Sequence, residues 1–260
     1  MSYFFNKVVA ITGGSDGIGK ALVDSLLALG AKVATCGRSY DKLYSLQLQY
    51  ASAPLHTITC DVSNEHDCQN FIESTIKTFG RIDILINNAG ISMRSLFKDA
   101  DFDVMKQIMD VNYWGAVYCT KYALDSIIAN KGTIVGMSSV AGYRGLPGKS
   151  AYSASKFALQ GWMEALRVEM MDQHVNVMWI CPGFTTDEPR RYSGESPIDE
   201  ETPIPPEECA AITLDAIEKQ KRYVIMTFSG KRTVFSTRFF PTLADKFIHK
   251  YFFKDGKLVK

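Results

Sequence analysis

No stretch of this 260-residue chain holds the roughly 18 consecutive apolar residues that a membrane-spanning helix needs. Charge of one sign is missing as well. Lys and Arg number 29 against 28 Asp and Glu, a formal net charge of +1, so no basic footprint points to nucleic acid. The cysteines Cys36, Cys60, Cys68, Cys119, Cys181 and Cys209 lack paired spacing. They read as buried thiols in a reducing compartment and not as a disulfide framework or a metal site. No linker, repeat or low-complexity tract divides the chain, which reads as one domain over 1–260. The opening MSYFFNK reaches the first strand too soon for a secretory leader, so a soluble cytoplasmic protein is expected. What remains is ordinary globular composition, 46% hydrophobic and 22% charged, with enough apolar residues for a core.

Apolar runs alternate with longer amphipathic stretches. Lys7–Thr12, Lys32–Gly37, Leu55–Cys60, Ile82–Ile86, Gly132–Met137 and Asn176–Cys181 read as strands, with a possible last strand at Arg222–Met226. Helical patterns fill Gly17–Leu29, Tyr40–Tyr50, Glu65–Phe79, Ala151–Met171 and Pro206–Lys219, and Phe102–Ile128 holds one or two more. Continuous apolar strands alternating with helices predict an α/β fold, a parallel sheet covered on both faces. The Pro- and acid-rich stretch 187–206 reads as a long loop.

Thr12-Gly13-Gly14-Ser15-Asp16-Gly17-Ile18-Gly19 lies between the first strand and its helix. Gly13, Gly17 and Gly19 let the backbone turn tightly and approach a pyrophosphate, and the helix beginning near Gly17 offers it unpaired N–H groups. The spacing TGxxxGxG differs from the GxGxxG fingerprint. The end of the second strand discriminates between the two nicotinamide dinucleotides. A carboxylate there would bind ribose hydroxyls, whereas a 2′-phosphate needs a cation. Gly37 stands where the acid would be, followed by Arg38 and Ser39, a guanidinium fork and a hydroxyl suited to phosphate. Asp16, close to the same ribose, pulls the other way. The balance favours NADP(H). Asp61 and Val62 end the third strand, where the adenine is expected, and Asn87-Asn88-Ala89-Gly90 end the fourth, where Gly90 permits close approach. In open α/β sheets ligands gather beyond the carboxyl ends of strands, so these segments converge on one crevice.

Tyr152 and Lys156 form YxxxK at the start of a helix, and residues four apart share a helix face. A free phenol, with a pKa near ~10, is a poor base at neutral pH. A neighbouring ammonium favours the phenolate and makes proton exchange with a carbonyl oxygen feasible. Ser138 and Ser139 end the fifth strand, where a hydroxyl can bond the substrate oxygen as charge develops. Asn112 could hold a water linking Lys156 to solvent. YxxxK alone also occurs on surface helices by chance; the ordered set carries the reading.

Through TGGSDGIG at 12–19, NNAG at 87–90, Asn112, Ser139, Tyr152, Lys156 and Pro182-Gly183, the sequence resembles the short-chain dehydrogenase/reductase family over essentially the whole chain to about residue 185. The resemblance implies a Rossmann fold with a doubly wound seven-stranded parallel sheet, a catalytic tetrad of Asn112, Ser139, Tyr152 and Lys156, and a dimer or tetramer. It assigns proton transfer to Tyr152, ribose binding and phenol activation to Lys156, substrate orientation to Ser139, and the water relay to Asn112. Ser139 and not Ser138 is carried over, because it stands thirteen residues before the tyrosine as in related hydroxysteroid dehydrogenases. The implied cofactor contacts are Gly13, Ser15, Asp16, Gly17, Ile18, Gly19, Arg38, Ser39, Asp61, Val62, Asn88, Ala89, Gly90, Tyr152, Lys156, Pro182, Gly183 and Thr185, with no metal. Asp187 departs from the family, which often has threonine there; Thr185 or Thr186 would have to substitute.

The resemblance places the substrate loop at 185–206. Beyond it, the segment 228–260 is expected to be a helical extension. Its aromatics are interleaved with Arg238, Lys246 and Lys250. That pattern fits either a surface touching a membrane or admitting a lipid-like substrate, or helices packed on the domain or a second subunit. The tail and the motifs resemble the hydroxysteroid dehydrogenase-like and 3-ketosphinganine reductase-like subgroup, which implies a hydrophobic ketone as substrate. A 3-oxoacyl carrier-protein reductase and a non-catalytic NADP(H) sensor or scaffold are the alternatives.

Overall fold

The structure is a computed structural model that describes residues 1–183 and 204–259. Most of the expected substrate loop 185–206, including Thr185, therefore lies outside the described residues. Seven parallel strands form one sheet in the order β3-β2-β1-β4-β5-β6-β7. They are β1 Val8–Thr12, β2 Lys32–Gly37, β3 Leu55–Thr59, β4 Ile84–Asn87, β5 Thr133–Met137, β6 Asn176–Cys181 and β7 Tyr223–Ile225. Every residue of β1, β4 and β5 is buried, as expected of strands sandwiched between two helical layers.

Helices α1 Gly17–Ala28, α2 Tyr40–Gln49 and α3 Glu65–Phe79 follow the first three strands. Asp16, Ser39 and Asn64 cap their N-termini through side-chain oxygens. One apolar layer joins Phe71, Cys119, Leu159 and Met163 on one face of the sheet. The other joins Leu22, Leu26, Leu214 and Ile217 on the opposite face. The strand order reverses between β1 and β4, which opens a crevice at their carboxyl ends. All six cysteines are free and buried.

The expected long helical stretch after residue 102 resolves into α4 Phe102–Met109, a π-turn at Asp110–Trp114, and α5 Gly115–Ala129. After α6 Ser150–Glu169 and α7 Pro206–Glu218, the C-terminal extension is not wholly helical. Helices α8 Phe228–Phe239 and α9 Pro241–Phe252 lead into a β-hairpin, β8 Phe253–Lys254 and β9 Lys257–Leu258. Asp255 and Gly256 both have positive φ (49° and 73°), the conformation a two-residue type I′ turn requires. The hairpin lies on the loop before α6. A Cβ on Gly148 would stand 2.7 Å from Leu258 Cδ2, and the φ of 74° at Gly148 favours glycine there.

Candidate active site

The glycine loop is held open from beneath. Asn88 Nδ2 donates to the carbonyls of Thr12 (3.0 Å) and Gly13 (3.2 Å), while Thr12 Oγ1 accepts from the N–H groups of Asn88 and Ala89. These bonds tie the end of β4 to the end of β1 across the switch point. A Cβ on Gly19 would stand 2.1 Å from the Gly13 carbonyl oxygen, so the first turn of α1 packs directly under the loop. The loop, the α1 N-terminus and Gly90 thus form a cradle that side chains would fill, which fits a dinucleotide.

At the end of β2, a Cβ on Gly37 would lie 3.0 Å from Ser15 Oγ, which brings Ser15, Arg38 and Ser39 to one corner of the crevice. Arg38 and Ser39 are exposed there. Asp16 is ion-paired with Lys42, one turn into α2. The acid that weighs against a phosphate in the sequence thus has a cation beside it. Lys42 was not singled out by sequence, although its place four residues after Arg38 was a usable signal. Asp61 accepts from the N–H and hydroxyl of Ser63, and Val62 packs against Gly115 below.

At the reaction end, Lys156 is only 4% exposed and donates to the Met137 carbonyl at 2.8 Å. Burial pulls its ammonium down to about 8, still charged at neutral pH. Its Nζ lies 5.6 Å from the centre of the Tyr152 ring, and that of Lys149 lies 5.9 Å away. Lys149, three residues before the tyrosine, is a second cation that the YxxxK pattern omits. A Cβ on Gly90 would stand 3.5 Å from Lys156 Nζ, so the two nominated segments do meet.

The structure distinguishes the two serines. Ser138 is buried and its hydroxyl accepts from Gln160 Nε2 at 2.8 Å. Ser139 is half-buried and its Oγ accepts from Ala141 N at 3.2 Å, which leaves its hydrogen available to an incoming oxygen. Asn112, inside the π-turn, accepts from Ile91 N (2.8 Å) and donates to Ile91 O (2.9 Å) and Ser155 Oγ (3.0 Å). Both amide hydrogens are engaged, so its side chain latches the segment after β4 to α6. Tyr143 is a second tyrosine nearby, but it accepts from Trp179 Nε1 and burial pushes its phenol up to about 12, which unsuits it for proton exchange.

The family model described as short chain dehydrogenase matches residues 7–195. The chain belongs to the short-chain dehydrogenase family. It is similar to mouse dehydrogenase/reductase SDR family member 7B, 34% identical over 244 residues, or 87% of this chain and 75% of that protein. It is also similar to 11-beta-hydroxysteroid dehydrogenase 1A of Arabidopsis thaliana, 37% identical over 199 residues, or 74% of this chain and 56% of that protein. These relatives agree with the hydroxysteroid dehydrogenase-like resemblance. A solved short-chain dehydrogenase/reductase from Burkholderia phymatum, in complex with NAD, matches with a TM-score of 0.82 at 22% identity over 94% of this chain and 96% of that one, a likeness of fold.

As a member of this family the chain is an oxidoreductase with a nicotinamide-binding fold. Pro182 and Gly183 follow β6, and a Cβ on Gly183 would stand 2.3 Å from Thr227 Cγ2. Thr227 in turn caps α8, so the cofactor end is joined to the start of the C-terminal extension.

Proposed function

We propose that this chain is an NADP(H)-dependent reductase of a hydrophobic ketone, either a long-chain lipid such as 3-ketosphinganine or a ketosteroid. The observation that carries the chemistry is the buried Lys156 beside Tyr152, its Nζ 5.6 Å from the ring centre. Bound NADPH would supply the hydride to the carbonyl carbon. Tyr152 would give its phenolic proton to the carbonyl oxygen, and Ser139 would hold that oxygen through its free hydrogen. Lys156 would hold the nicotinamide ribose and, as a cation, favour the phenolate that remains. Asn112 would keep the segment after β4 in register with α6.

The preference for NADP(H) is supported by Arg38, Ser39 and Ser15 at one corner, no acid at position 37, and Asp16 already paired with Lys42. The ketone class is supported by the names of the relatives and by the apolar surroundings of Tyr152, whose ring packs with Met93, Ile108 and Ala151. NADPH oxidation against long-chain ketones, ketosteroids and small polar ketones tests the substrate; activity confined to the small polar compounds would sink it. Arg38→Ala is expected to reduce the NADPH-to-NADH preference in kcat/KM by about tenfold or more, the loss of a charge-assisted bond. An unchanged ratio would return the cofactor to NAD.

A further inference from the structure

We propose that the outward face of α8 and α9 docks on an anionic lipid bilayer surface. On α8, Phe228, Lys231, Arg232, Phe235, Arg238 and Phe239 are all exposed and recur at helical spacing, so they form one continuous stripe. On α9, Leu243, Lys246, Phe247, Lys250 and Tyr251 repeat the arrangement. Phe235 lies 4.8 Å from Phe239 and 6.4 Å from Phe240, which links the two stripes at the turn. Phe228 is 75% exposed and Phe247 65%, and with Phe235, Phe239, Phe240 and Leu243 they gather exposed apolar side chains on two consecutive helices.

Charge selects the occupant. Between residues 228 and 254 there are six Lys or Arg and one carboxylate, Asp245, in a chain whose net charge is only +1. Asp245 is already paired with Arg144 on the loop before α6. The face is therefore cationic and aromatic at once. Its rings suit the acyl–headgroup boundary, while Lys and Arg reach out to anionic headgroups. A second copy fits less well, because a two-fold contact would set like charges against like charges. No helix among the described residues is long and apolar enough to cross a membrane, so the contact is a surface one. The inner side of α9 lines a cleft of ≈ 670 Å³ against Ser150, Ala154 and Phe157 of the catalytic helix, which would hold α6 next to the bilayer.

Sedimentation of the full chain with vesicles of phosphatidylcholine, alone or doped with phosphatidylserine, tests the proposal without substrate or cofactor. A wrong substrate assignment would leave its result untouched. Retention on the anionic vesicles is expected to exceed that on the neutral ones by about tenfold or more, several basic residues each contributing. The triple variant Phe235→Ser, Phe239→Ser, Phe247→Ser is expected to lose that retention while keeping the wild-type circular dichroism and Tm. No preference for anionic vesicles, the outcome for a face reserved for an acidic protein, would overturn the proposal. So would undiminished retention of the triple variant, or a dimer in ultracentrifugation that the variant turns into monomer.

Discussion

Tyr152→Phe is expected to lower kcat/KM by about 10³-fold, within the range a positioned acid or base contributes, while NADPH binding measured by fluorescence stays near wild type. The ring keeps its packing with Met93 and Ala151, and Lys156 keeps its bond to Met137, so only the proton is lost. Tyr143 cannot take over, since its phenol accepts from Trp179 and partial burial pushes it up to about 12. A variant retaining a tenth or more of the activity would show that another group delivers the proton.

Lys156→Met is expected to move activity and stability in opposite directions. Turnover should fall at least about 100-fold, because the charge beside the phenol and the proposed ribose contact disappear together. Stability at pH 7 should rise by about 1–3 kcal/mol, because a charged group is no longer held out of water. The sign follows from the two pKa values. The native protein releases this proton near about 8, the unfolded chain near ~10.4. Between them the unfolded state binds more protons, so wild-type stability gains with rising pH. Below pH 8 the full cost of the buried charge is present. The advantage of the variant in denaturant titrations should thus be largest at neutral pH and vanish toward pH 10. A variant less stable than wild type at pH 7 would mean that the lost bond to Met137 outweighs desolvation.

Most of the sheet was legible because its strands are buried on both faces and so appear as unbroken apolar runs. β2 and β6 and helix α3 have the expected boundaries. β4 begins at Ile84 and not Ile82, although Asp83 just before it already bonds to Val8 and Thr133 through its backbone and accepts the Val8 N–H on its carboxylate. The C-terminal hairpin was missed although Asp255-Gly256 is a turn signal, since two-residue strands are too short to show alternation. The π-turn around Asn112 left no pattern in the sequence: one extra residue in a helical turn alters which side chain faces the sheet without altering composition.

The sequence by itself determined the order of strands and helices, the glycine loop, and the pairing of Tyr152 with Lys156, because each depends on neighbours in the chain or on one helical turn. Only the tertiary structure decided what depends on distant segments meeting. It buried Ser138 while leaving Ser139 half-buried, with Gln160 bonded to both, and it latched Asn112 to Ile91. It paired Asp16 with Lys42 of α2, a contact between segments 26 residues apart. It also carried Leu258 back onto Gly148, 110 positions earlier on the loop that starts the catalytic helix. These contacts join residues far apart in sequence, and no local periodicity encodes them.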